Sequence, residues 1–135
     1  MKVFQGSIEP NDIKQGSLGD CYFLSSLSVI SENPERISNM FVTKEVTNEG
    51  IYAINITKNG EPIQIIVDSY LPCFKGAPIF SSAHGNELWV LLMEKSWAKV
   101  HGSYERIIGG QAHQTLRDLL GAPAYEHETS EEGIW

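Results

Sequence analysis

The sequence predicts an α+β fold, mainly helical, with one small antiparallel β-hairpin. Three observations predict it. An apolar stripe at helical spacing follows Gly19, two alternating runs flank an Asn-Gly turn, and the nearly unbroken apolar stretch from Leu88 to Val100 is too long for a strand.

The first helix is predicted from about Gly19 to Asn33. Phe23, Leu24, Leu27 and Ile30 make its apolar face, and Pro34 stops the run. Asp20 falls in the first turn, where a carboxylate suits the positive helix terminus. In the hairpin, Tyr52, Ile54 and Ile56 alternate with Ala53 and Asn55, and Ile63, Ile65 and Val67 alternate with Gln64 and Ile66. Lys58-Asn59-Gly60-Glu61 supplies the turn between them. From Glu87 to about His101 the chain should form a helix buried on most sides. A shorter helix from about Gln111 to Leu120 should end at Gly121, a residue type suited to the left-handed position after a helix, with Pro123 following. The stretch from Glu126 to Glu132 is acidic and is expected to fray.

With 135 residues the chain is long enough for one domain with a real core, since a fold of this size buries roughly 68% of its unfolded surface. No repeat or Pro/Gly/Ser linker divides it, so residues 1–135 read as one unit. A composition of 41% hydrophobic and 20% charged residues is ordinary for a globular protein. Seventeen acidic against ten basic side chains, a formal charge of -7, argue against nucleic-acid binding, which needs clustered Lys and Arg. The sequence contains no apolar run long enough for a transmembrane segment and no signal-peptide pattern at its start, so it reads as cytoplasmic. Cys21 and Cys73 are too few for a disulfide framework, and both are expected to be reduced.

The chemistry concentrates in Gln15-Gly16-Ser17-Leu18-Gly19-Asp20-Cys21-Tyr22. A cysteine nucleophile must be a thiolate, and a helix N-terminus favours that form by placing partial positive charge and free N–H groups beside the sulfur. Gln15 offers a side-chain amide that can donate to the oxyanion of acyl transfer, with the Cys21 backbone N–H as second donor. By themselves these features do not decide. A cysteine opening an apolar helix is more often a small buried hydrophobe, and an isolated glutamine is an ordinary turn residue.

The string QGSLGDCYFLSSLS resembles the active-site motif of the calpain family of cysteine proteases. The segment from Gly50 to Pro72, ending IIVDSYLP, is similar to the family's sheet segment, and ELWVLLMEKSWAKVHGSYERIIGG is similar to its second signature. Tyr22 stands where calpains usually have Trp. The resemblance implies the first, mainly helical lobe of the papain-like fold. It implies Cys21 as nucleophile, Gln15 as oxyanion-hole side chain, and Gly109 and Gly110 as the substrate-binding glycines at the cleft edge. It also implies calcium, held by the carboxylates of Asp12 and Glu87 and the carbonyls of Gln5 and Ser7. Position 7 is usually Gly. Calcium takes hard oxygen ligands of this kind.

Other candidates are weaker. His84, His101, His113 and His127 are scattered and form no zinc motif, and the glycines near Cys21 lack the Gly-Lys-Ser/Thr of a phosphate-cradling loop. Cys73 falls where calpains have no catalytic residue. A protease of this kind also needs a His base and an Asn to orient it. In calpains both come from a second subdomain, in stretches resembling Gly-His-Ala-Tyr and Asn-Pro-Trp-Gly, and neither string occurs here. Losing one member of such a unit costs about a million-fold in a dissected serine protease. The resemblance therefore implies a calcium-dependent cysteine endopeptidase acting on protein substrates, with this chain contributing the nucleophile half. The alternative is an inactive calpain-like regulatory or protein-binding module.

If Cys21 is activated, iodoacetamide should alkylate it faster than Cys73 in the native protein, as read by peptide mass spectrometry. Equal or reversed rates would count against an activated thiol.

Overall fold

The computed structural model describes residues 1–128. Among these the chain forms four α-helices, two 3-10 turns and three two-stranded antiparallel sheets, the α+β class expected. The helices are α1 (Cys21–Ser31), α2 (Pro34–Met40), α3 (Trp89–His101) and α4 (Ala112–Leu120). The 3-10 turns are η1 (Pro10–Asp12) and η2 (Glu105–Ile107). No helix among the described residues is long and apolar enough to cross a membrane.

The main sheet is the hairpin of β2 (Ile51–Lys58) and β3 (Glu61–Asp68). Its register pairs Ile54 with Ile65 and Lys58 with Glu61, and Asn59 and Gly60 both have positive φ, 52° and 79°. That is the mirror-image turn whose twist matches the strands. Tyr52, Ile54, Ile56 and Val67 point inward and are buried, whereas Ile66 on the opposite face is half exposed. The alternation in the sequence is thus the alternation of faces.

Helix α3 supplies the centre of the core, with Trp89, Val90 and Leu92 fully buried. Helix α1 buries Phe23, Leu24, Leu27 and Ile30. The two helices meet where the Phe23 and Trp97 rings stack with centroids 5.2 Å apart. Helices α2 and α4 pack against α1 and β2, while α3 packs against β2 and β3. Helix α4 ends at Gly121 in the left-handed conformation with φ 67°, as predicted.

Three features differ from expectation. Pro34 does more than stop α1: it is the first residue of α2, where a fixed φ and a missing N–H cost nothing. That helix buries Ile37 and Met40. The structure also contains four strands of two residues each: β1 (Ile13–Lys14), β4 (Cys73–Phe74), β5 (Ala77–Pro78) and β6 (Ser82–Ala83). β1 pairs with β6, and β4 with β5. Two residues show no periodicity, so no pattern announced them. Finally, Asp20 is the N-cap rather than a first-turn residue, and its side chain makes no capping bond. The acidic stretch expected to fray lies, from residue 129 onward, outside the described residues.

Candidate active site

Cys21 is the first residue of α1 and is exposed and unpaired with Cys73. The Asp20 carbonyl accepts the N–H groups of Phe23 and Leu24 at 2.9 and 3.1 Å, closing the first turn behind it. As the opening residue, Cys21 directs its own N–H away from the helix ladder, free for a substrate oxygen.

The loop before the helix is seated on the backbone of residues 79–80. Ser17 donates its N–H and its Oγ hydroxyl to the Ile79 carbonyl at 3.0 and 2.6 Å. A Cβ at Gly16 would stand 1.4 Å from the Phe80 carbonyl oxygen, so no other residue type fits this approach. Leu18 is buried and anchors the loop from within. Gln15 is exposed, and its Nε2 donates to the Leu18 carbonyl at 3.0 Å.

On the other side of the thiol, the Gly109 N–H donates to the Gly19 carbonyl at 2.9 Å. Gly109 has φ 72° and open space where a side chain would stand. A Cβ at Gly110 would stand 2.5 Å from the Tyr22 ring. The Tyr22 hydroxyl accepts the Trp97 Nε1–H at 3.1 Å, and burial raises its pKa above the usual tyrosine range. Sequence-distant residues 15–22 and 108–110 are therefore one surface. Beside it a pocket of 180 Å³ is lined by Tyr22, Trp97, His101, Gly109 and Gly110 among others. A larger cleft, 780 Å³, lies elsewhere and is lined by Glu87, Tyr70 and Cys73 but by neither Gln15 nor Cys21.

None of the described histidines is hydrogen-bonded to Cys21. His101 Nδ1 lies 2.9 Å from the Trp97 carbonyl oxygen and its ring rests on Trp97. His113 Nδ1 lies 3.3 Å from Glu126. His84 and His127 are exposed.

Three of the four expected metal ligands, Gln5, Asp12 and Glu87, fall in one region. The N-terminal segment runs along residues 86–89, with Leu88 N–H donating to the Lys2 carbonyl and Trp89 N–H to that of Val3. This brings Gln5 to Glu87, whose Oε2 accepts the Gln5 N–H at 2.8 Å. Asp12 Oδ2 accepts the Glu9 N–H at 2.8 Å, and the Asp12 carbonyl accepts the His84 N–H. Glu87 is buried, and desolvation raises its pKa, with the negative charge of Asp12 adding to the effect. The left-handed residue in this segment is Gly6, with φ 81°, and Ser7 has no positive φ. A side chain at position 7 is therefore accommodated without backbone strain.

The model for the family described as calpain family cysteine protease matches residues 1–134. The chain belongs to this family. Among its relatives, the calpain-type cysteine protease DEK1 of Zea mays is 43% identical over 126 residues, covering 92% of this chain and 6% of the maize protein. DEK1 of Arabidopsis thaliana is 42% identical over the same length. Human calpain-9 is 32% identical over 130 residues, covering 93% of this chain and 19% of its own. The calpain-family chain thus spans only a small part of these proteins.

Sequence reasoning missed two parts of this calpain-family site. The seat at residues 79–80 carries no motif, because it acts through carbonyl groups. Glu94 is also missed, since a polar residue in an apolar helix reads as its solvent face. It is instead buried, and accepts the Ser81 N–H at 3.0 and 3.1 Å through its two oxygens.

Gly16→Ala should destabilise the fold by about 3 kcal/mol or more, since a methyl group would be driven into a backbone carbonyl that cannot yield. Urea unfolding measures it, and a loss well under about 1 kcal/mol would mean that this seating is dispensable.

Proposed function

We propose that this chain is the nucleophile-bearing half of a calcium-dependent cysteine endopeptidase. The observation that carries the reading is the convergence of an exposed Cys21 at a helix start, the Gln15 amide and the Gly109–Gly110 edge on one surface. The cytoplasm, where a reduced thiol persists, suits it.

In this reading an extended protein substrate lies along Gly109 and Gly110, pairing main chain to main chain where no side chain intrudes. The Cys21 thiolate attacks the scissile carbonyl carbon, and the carbonyl electrons move to oxygen. The Cys21 N–H and the Gln15 amide stabilise that oxyanion. Collapse breaks the C–N bond, the leaving amine takes a proton from an imidazolium, and a thioester remains on Cys21. Water, deprotonated by the same imidazole, then attacks the thioester, releasing a carboxylic acid and restoring the thiol. The imidazole and its orienting Asn come from a second calpain subdomain, the partner this chain needs. Without it, an ordinary thiol of pKa near about 8.5 is only a few per cent ionised at neutral pH.

For calcium, the donor chemistry fits. Asp12 and Glu87 lie close enough that one charge perturbs the other, and neither forms an ion pair with Lys, Arg or His among the described residues. Those carboxylates, with the Gln5 and Ser7 carbonyls, would hold the ion. Once bound, calcium supplies a positive charge that fixes the N-terminal segment against the start of α3.

Two outcomes are expected. Fused to the second subdomain of a calpain-family relative, the chain should cleave an unfolded protein such as casein, and Cys21→Ser should abolish the cleavage. A correctly folded fusion with no Cys21-dependent hydrolysis would favour the binding-module reading. In thermal melts of the chain alone, millimolar calcium should raise the midpoint, and Asp12→Ala should remove the effect. An unchanged midpoint that is also indifferent to Asp12→Ala would exclude the site.

A further inference from the structure

Two buried carboxyl groups lie near one another in the interior, one of them on the residue before Cys21. Asp20, the residue before Cys21, has no exposed surface, and Glu94 in α3 is 3% exposed. Among the described residues no Lys, Arg or His pairs with either. Neither Asp20 Oδ1 nor Oδ2 receives a bond from any protein N–H or hydroxyl group. The two side chains lie close enough that each perturbs the ionisation of the other. A proton kept between them would give the orphaned Asp20 oxygens a donor, which a second carboxylate cannot supply. Two like charges in a dry site resist simultaneous ionisation.

We infer that Asp20 and Glu94 share one proton and act as a positioning pair for Cys21, tying the start of α1 to α3 and, through the Ser81 N–H, to the segment that seats the nucleophile loop. The second half of this inference rests on Cys21 being the nucleophile, whereas the proton-sharing half does not.

The surroundings agree. Burial raises both groups, Glu94 to about 8, with Asp20 adding to its shift. The charged or titratable neighbours are Cys21 and Tyr22 on α1 and Tyr104 beside η2. Asp20 raises Tyr22, and Glu94 contributes to raising Tyr104, after burial. Lys95, next to Glu94 in sequence, turns away to Asp68. An acid held protonated in the fold but ionised when unfolded favours unfolding as pH rises. Stability should therefore fall between the ordinary glutamate value and about 8, and level off above.

The test uses the 135-residue chain and three readouts. Infrared spectra should show a buried protonated carboxyl at pH 7 that disappears above pH 9. The melting midpoint should fall from pH 5 to pH 8 in the wild type, and Glu94→Gln, which keeps a permanent donor to Asp20, should remove most of that slope. Cys21 alkylation at pH 8.5 should be about twofold faster in Glu94→Gln than in the wild type, because the second buried charge never develops at the start of α1. No protonated band at pH 7 overturns the pair whether or not any variant folds. A band and slope present, with an alkylation rate unchanged in both Glu94→Gln and Asp20→Asn, overturns the positioning role alone. Failure of the fused enzyme to hydrolyse casein with these readouts intact would leave the proton sharing standing and remove the proposed reaction.

Discussion

The site depends on the seating of one loop. Residues 15–20 carry the amide proposed for the oxyanion and end in the helix that presents the thiol, but they contain little apolar mass beyond Leu18. What holds them is the backbone of Ile79 and Phe80: two donations from Ser17 to one carbonyl, and the approach of Gly16 to the next. A backbone seat fixes position without regard to the side chains that bear the carbonyls. It also couples the loop to whatever holds residues 79–81, which is the Glu94 carboxyl at the Ser81 N–H. Loop, seat and buried acid form one chain of contacts from α3 to Cys21.

A second constraint comes from the aromatic contacts across α1 and α3. Phe23 stacks on Trp97, and Trp97 donates to the Tyr22 hydroxyl. The Tyr22 ring in turn lies against Gly110. A side chain next to the thiol thereby sets the position of the cleft edge, and its hydroxyl gives the buried indole N–H a partner. The packing role expected of an aromatic at this position is filled by tyrosine.

Much of this was legible in the residues. Alternation gave the hairpin, because one of its faces is buried and the other wet. Helical spacing gave α1 and α3, whose apolar stripes pack on one another. The chemistry of Cys21, Gln15 and the two glycines could be read only through resemblance, since a cysteine at a helix start is by itself more often a small buried hydrophobe. What stayed hidden acts through backbone or through burial. Pro34 signals both an end and a beginning, and only tertiary packing of Ile37 and Met40 favours the beginning. Asp20 reads as a solvated helix-terminal charge, yet its side chain is buried, and α1 starts at Cys21, two residues later than the stripe suggests.

The Gln15 amide does not wait empty. It rests on the Leu18 carbonyl at 3.0 Å, a neutral acceptor. Exchanging that partner for the carbonyl of a bound peptide trades one neutral hydrogen bond for another and gains almost nothing. Exchanging it for an oxyanion trades a neutral bond for a charge-assisted one of about twice the strength. An internal competitor of this kind subtracts the same bond from both states, which leaves a net gain only for the tetrahedral species. In the proposed reaction the Leu18 carbonyl therefore acts as a threshold, keeping the donor in reserve for the moment at which charge develops.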